Sequence, residues 1–176
     1  MGTIPISNLV PGAGAAEVLS YPGAPVAGVS EVQLITITGT PTGGTFTLSG
    51  VNPNNATTFT TAPIAYNASA ATVVAALVAV LGTGAVTGSG GALPGSAVSA
   101  TFAGAFTAKN IPQMTADGTL LTGGTSPAVA VTTTTQGSSA TYAGKAAAGV
   151  LLVNTVAKAL YQNTGTVAAP VWTLNS

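Results

Sequence analysis

Six side chains in this 176-residue chain carry a formal charge: the carboxylates of Glu17, Glu31 and Asp117 and the amines of Lys109, Lys145 and Lys158. Histidine, cysteine and arginine are absent. General acid–base chemistry and activated nucleophiles both need a base of tuned pKa within reach of the reacting atom. Without His or Cys the usual triads and dyads cannot be assembled. Two carboxylates could divide acid and base work, but Glu17 falls in a Pro/Gly-rich leader and Asp117 in an Asp-Gly turn. No motif supports a Ser–Lys pair. Zinc finds no thiolate or imidazole, and calcium would have Asp117 and backbone carbonyls without a ligand-dense acidic loop. The expectation is a chain with no catalytic residue, no metal and no cofactor: not an enzyme.

Two glycine-rich stretches, "GTPTGG" and "GTGAVTGSGG", lack the spacing of phosphate-binding loops and are expected to be turns. Asn55-Ala56-Thr57 and Asn67-Ala68-Ser69 match glycosylation sequons, which matter only in a secreted chain. The start, "MGTIPISNLV", has no basic region followed by an apolar core, so no secretory signal is read there. Ile6 stands where N-myristoylation requires Ser or Thr. The longest strongly apolar run, Val73 to Leu81, is well short of the ~20 residues of a membrane span. A soluble protein made in a cytoplasm is expected.

Charged residues are 3% of the chain, against about 25% in a typical soluble domain. Three scattered lysines cannot form the basic stripe that phosphates demand, so no nucleic acid partner is expected. An anionic membrane surface is excluded on the same ground. Disorder does not fit a chain that is 47% hydrophobic, because disordered chains are low in hydrophobicity and high in charge. Net charge near zero favours association. A Thr-coated monomer is one reading; a subunit living inside an assembly is the preferred one.

The elements that would position these residues fall into four segments. Residues 1–30, with Pro5, Pro11, Pro22 and Pro25 among glycines, read as an extended arm. Its apolar clusters are Ile4, Ile6, Leu9 and Val10. Residues 31–136 read as a central β-rich domain. "EVQLITITG" and "TFTLSGV" alternate in strand period around a Gly-bearing loop, and are expected to form a hairpin. "NPNNATTFT" reads as a loop and "APIAY" as a short edge strand. "ATVVAALVAVLG" reads as a helix over 69–81, capped by Asn67 or Ser69 and stopped by Gly82. Its apolar face is Ala70, Val73, Val74, Leu77, Val80 and Leu81. "GAVTGSGG" and "SAVSATFAGAF" read as a strand pair, and "SPAVAVTTTTQG" as a strong strand. Residues 137–149 read as a linker, and 150–176 as a small C-terminal β cap of three short strands. The fold class expected is α+β, mostly β: an antiparallel sheet module of ββαβ type with one packed helix, an extended N-terminal arm and a C-terminal cap.

The segments "EVQLITITGTPTGGTFTLSG", "TTAPIAYNASAATVVAALVAVLG" and "NIPQMTADGTLLTGGTSPAVAVTTTTQG" together resemble a β–β–helix–β module of structural proteins of tailed bacteriophages, actinobacteriophages especially. The ending "ALYQNTGTVAAPVWTL" is similar to the closing strands of phage capsid decoration and fibre-like proteins. The resemblance implies a capsid decoration (cement) protein on the virion exterior, assembled in the host cytoplasm. It would bridge subunits of the major capsid protein and meet copies of itself, with a trimer suiting a shell. A tail-tube or fibre component, or a cell-surface or carbohydrate-binding adhesin module, remain as alternatives.

One departure bears on partners. The module leads one to expect a helix nearer to A-T-V-Q-A-A-L-E-A-L, with polar residues where this chain has Val74 and Val78. Two positions expected to face solvent are therefore apolar, and either another chain or this chain's own arm or cap would cover them. The interface candidates are then Ile4, Ile6, Leu9 and Val10 in the arm and Val74 and Val78 on the helix. Tyr161 and Trp172 in the cap join them as hot-spot residue types. For Trp172 the core of the cap is the competing role.

Overall fold

The computed structural model describes residues 18–175. They fall into two compact units: a large one, Val29–Ser138, and a small one whose described residues run through Gly28 and from Ser139 onward. The architecture is mostly β with one α-helix, the α+β class expected from the sequence.

In the large unit, β2 (Val32–Thr38), β6 (Val86–Gly90), β7 (Val98–Phe102) and β10 (Ala128–Thr135) form an antiparallel sheet in the order β10-β2-β7-β6. The second layer is organised on β3 (Gly43–Asn52), which pairs with β4 (Thr57–Thr60), β5 (Ile64–Ala65), β8 (Thr115–Asp117) and β9 (Leu121–Thr122). Ser49 is in register with both Thr60 and Thr115, so β4 and β8 lie on opposite edges of β3. The strand pair "GAVTGSGG"/"SAVSATF" is present, with Val86 opposite Phe102 and Gly90 opposite Val98.

The expected hairpin of β2 and β3 does not form. Both edges of β2 are occupied, by β10 and β7, and β3 belongs to the other layer. The Gly39–Thr42 connection passes between layers, tied by Thr125 N–H to the Gly39 carbonyl and Thr42 N–H to the Thr122 carbonyl. Alternation identifies a strand; the strand's neighbour depends on which edges the rest of the chain fills. "NPNNATTFT" is likewise only half a loop: a turn over 53–56, then β4.

The helix α1 spans Ala70–Leu81. Ser69 Oγ accepts from Thr72 N–H as the N-cap, and Gly82, at a φ of 103°, closes the other end. Val73 and Leu77 are fully buried, while Ala70, Val74, Ala76, Val78 and Leu81 pack partly buried against the same core of Ile35, Phe46, Leu48, Val98 and Phe102. Val74 and Val78 are therefore half-buried against their own unit's core and not on the open solvent face, which corrects the sequence expectation. Gly88 makes room for this: a Cβ there would collide with Val74. The face left to water is Ala71, Thr72, Ala75, Ala79 and Val80, mostly alanines that expose little apolar area and are strong helix formers.

The small unit is a four-stranded sheet in the order β1-β11-β12-β13. Three strands, β11 (Leu151–Asn154), β12 (Ala159–Asn163) and β13 (Trp172–Asn175), come from the expected cap. The fourth, β1 (Val18–Tyr21), comes from the segment read as an arm, and pairs parallel with β11. The 137–149 stretch is no simple linker: Ala140, Thr141 and Ala146 are buried within this unit. Small side chains that signal flexibility in a sequence here permit close packing in consecutive turns.

Replacing the fully buried Leu77 by Ala is expected to cost ~2–5 kcal/mol, and Ser69→Ala about 1 kcal/mol, read from urea unfolding midpoints. The paired change Val74→Gln and Val78→Glu restores the polar residues of the expected helix pattern. It should nonetheless destabilise by ~1–3 kcal/mol; an unchanged midpoint would return those positions to the solvent face.

Candidate interaction surfaces

Among the described residues, five side chains carry a formal charge: Glu31, Asp117, Lys109, Lys145 and Lys158. Glu31 is buried and acts structurally: its carboxylate accepts Gly137 N–H at 2.7 Å, the Thr133 hydroxyl at 2.9 Å and Gln33 Nε2 at 3.4 Å. Gln33, equally buried, donates to the carbonyls of Ile111 and Pro112 at 3.3 Å and accepts Met114 N–H at 2.9 Å. These two side chains sit on the inward face of the strand edge and hold a strandless segment as a neighbouring strand would. Gly137 must come close: a Cβ there would strike the Lys109 carbonyl.

Asp117 is exposed at a turn, where Oδ1 accepts Thr119 N–H at 2.9 Å. Those hydrogen bonds from Thr119 hold its carboxyl below the ordinary carboxylate range. Lys109 Nζ donates to Asn54 Oδ1 at 2.6 Å, and Lys145 and Lys158 are exposed. Among the described residues there is no cluster of three or more His, Cys, Asp or Glu that could hold a metal ion. No helix among them is long and apolar enough to cross a membrane.

A depression of about 300 Å³ lies over β3 and β4, between Gly50, Phe59, Pro112 and Gln113. The Phe59 ring covers Gly50, its cross-strand partner. Its polar side chains are engaged within the protein: Gln113 Oε1 accepts Thr133 N–H at 3.0 Å, and Ser49 Oγ meets Thr60 Oγ1 at 2.8 Å.

In the small unit the aromatic candidates are half-buried. Tyr161 and Trp172 pack, with Tyr21 and Tyr142, against the core of Leu19, Ala146, Val150 and Leu152. Trp172 Nε1 donates to the Thr141 carbonyl at 3.0 Å and Tyr142 Oη to the Ser20 carbonyl at 2.6 Å. The Tyr142 ring meets those of Tyr21 and Trp172 edge to face, at 6.0 and 6.5 Å between centroids. Burial pushes the Tyr142 phenol up, and the neighbouring Tyr21 adds to this. Tyr161 and Trp172 are half-buried, so each ring keeps part of its surface exposed.

Asn163, which the sequence reading passed over, organises the end of this unit. Its Nδ2 donates to the carbonyls of Ala146 and Ala147 at 2.8 and 3.1 Å, and its Oδ1 accepts the N–H groups of Gly165 and Val171, both at 2.9 Å. All four bonding positions of a buried amide are filled. The "NTGTVAAPVW" ending is thus a framework in which Asn163 pins three backbone segments and Trp172 a fourth.

Of the sequence candidates, Ile4, Ile6, Leu9 and Val10 lie outside the described residues. Val74, Val78, Tyr161 and Trp172 each pack on the core of their own unit, and the structure brings no set of candidates together as one exposed patch. The exposed apolar residues lie elsewhere. Among the described residues, six of the ten exposed large hydrophobics belong to the small unit: Val18, Val26, Val156, Val167, Val171 and Leu174. Strand registers supply the signal that spacing alone lacked, because they show which residues share a face.

The fold is a strand-dominated pair of units, poor in charge, whose buried polar side chains hold backbone. Compared with known proteins, the chain matches no family model and no curated protein.

Three outcomes check this account. Asn163→Asp removes two donors and sets a carboxylate against two carbonyls. It should cost ~1–3 kcal/mol for each group left unpaired and speed amide exchange at Gly165 and Val171. Glu31→Ala strands the Gly137 N–H and Thr133 hydroxyl, with a similar cost per group read by thermal unfolding. Asp117 should titrate below its unfolded value in carbon-detected NMR. Its stabilising effect on the turn is full above that unfolded value, near pH ~4, and is lost as pH falls through the lower folded one. Asp117→Asn should flatten this acid-side dependence.

Proposed function

We propose that the chain is a non-enzymatic structural protein of a tailed-bacteriophage virion that decorates and stabilises the capsid exterior by bridging major capsid subunits. The observation carrying this reading is compositional and structural together. A chain with only 3% charged residues folds into two β-rich units, and its buried carboxylate and amides hold backbone in place. Such a molecule is suited to apolar association, which contributes about 25 cal/mol per Å² and needs no charge complementarity. The resemblance of residues 31–137 and of the ending to phage modules supplies the biological setting. Its partners in this role are the major capsid protein and copies of itself.

A tail-tube or fibre subunit has the same physical requirements, and position in the particle separates the readings. Cryo-electron microscopy of virions carrying the chain, beside particles assembled without it, is the test. Loss of density at repeated lattice positions on the shell exterior, with shell rupture at lower temperature, is the expected outcome. An unchanged shell with density missing from tube or fibre overturns the decoration role.

A further inference from the structure

We infer that folding of the large unit is the device that assembles the small one: the small unit is ordered only while the large unit is folded, and the dependence runs one way. The small unit is discontinuous, with one described segment ending at Gly28 and the other starting at Ser139. What joins the two segments is non-local in sequence. β1 pairs with β11, Val26 N–H donates to Thr141 Oγ1 at 2.9 Å and Thr141 N–H to the Val26 carbonyl at 3.0 Å. Thr155 N–H donates to the Tyr21 carbonyl at 3.0 Å. Val26 and Thr141 stand 115 positions apart, and Tyr21 and Thr155 stand 134 apart.

The large unit closes this gap with its own residues. Its ends are bonded to each other, Val29 N–H to the Ser138 carbonyl at 2.9 Å and Ser138 N–H to the Val29 carbonyl at 2.8 Å. Glu31 repeats the tie further in, at Gly137 N–H. The buried cluster behind them, from Ile35 to Val131, is drawn wholly from this unit. Folded, the unit therefore delivers the two flanking segments side by side, as a tight turn would. Unfolded, it is a flexible loop. Closure entropy rises with the logarithm of loop length, so β1–β11 pairing across such a loop is on the order of 100-fold less favourable than across a few residues.

The small unit has little with which to absorb that loss. Its clustered core is Leu19, Ala146, Val150 and Leu152, and Leu19 comes from β1. Tyr142 Oη loses the Ser20 carbonyl when β1 leaves. What remains is three short strands over two aliphatic residues and an alanine, too small a core to hold order by itself. The large unit has no such debt, since no strand of its two layers and no residue of its core comes from the small unit. The coupling thus runs through chain connectivity alone.

The full chain carries separate reporters. Emission from Trp172, the single tryptophan, reads the small unit, and methyl NMR signals of the buried Ile35 and Leu48 read the large one. Amide exchange at Thr141 and Thr155 reads the docking of residues 18–26. Urea unfolding is followed in wild type, Leu77→Ala, Leu77→Asp and Leu152→Ala. The inference expects that Trp172 never keeps native emission once Ile35 and Leu48 give unfolded signals. A Leu77 variant whose large unit melts early should pull the Trp172 midpoint down with it and speed exchange at Thr141 and Thr155 by at least ~tenfold. Should Leu77→Asp unfold the large unit without urea, the same comparison is made in buffer. Leu152→Ala should lower the Trp172 midpoint and leave that of Ile35 and Leu48 in place. Native Trp172 emission with protected Thr141 and Thr155 beside an unfolded large unit overturns the inference. A Leu152→Ala chain in which both sets of signals fall together overturns it too, because the units then fold as one.

Discussion

The large unit depends on the hydrogen bonds that Glu31 and Gln33 make at the start of β2. The segment from Lys109 to Met114 has no strand partner, yet it lies beside the core, where Ile111 and Met114 are buried. Unpaired backbone groups there would each cost ~1–3 kcal/mol. Gln33 meets the carbonyls of Ile111 and Pro112 and the N–H of Met114, and Glu31 meets the N–H of Gly137 as the chain leaves β10. One strand end thus fixes both an irregular crossing and the exit from the unit. A buried carboxylate is tolerable because hydrogen bonds replace the water it lost. Gln33 holds it from the side, and Gly137 approaches only because it lacks a side chain.

The small unit solves the same problem with one amide. Asn163 takes the part of a strand edge toward Ala146, Ala147, Gly165 and Val171, and Trp172 fastens Thr141. Thr141 in turn exchanges hydrogen bonds with Val26. Among the small unit's described residues the clustered core is Leu19, Ala146, Val150 and Leu152, so these polar ties carry a larger share of its order than in a domain with a full core. The aromatic rings close the gaps between such small residues.

Strand existence was legible in the chain wherever alternation was long: β2, β3 and β10 all occur where the pattern places them. Partners were not, because the apparent β2–β3 hairpin is undone by β7 and β10 taking both edges of β2. The helix was legible to its cap, since Ser69 and Gly82 are local signals. Its solvent face was not, because Gly88 admits Val74 at a distance in sequence that periodicity does not see. Gln33 reads as the polar side of an alternating strand yet points inward, as Ile35 and Ile37 do. Nothing in its neighbours marks it, since its partners lie some 80 residues away (Δ of 78 and 81). β1 was hidden for the opposite reason: four residues amid prolines carry too little pattern, and only pairing with β11 defines them. The chargeless composition, by contrast, needed no structure to read.

That composition constrains how the molecule can associate. An apolar face of ~250 Å², meeting an equal area, gives at most ~12 kcal/mol gross at 25 cal/mol per Å² if wholly apolar, and about half that for a half-apolar face. Lost translational and rotational freedom costs ~4–15 kcal/mol, so a single contact of this size nets close to nothing. Charge complementarity, the usual supplement, is unavailable to a face without ionisable groups. Where such a chain associates, apolar area and fit of shape must carry the contact.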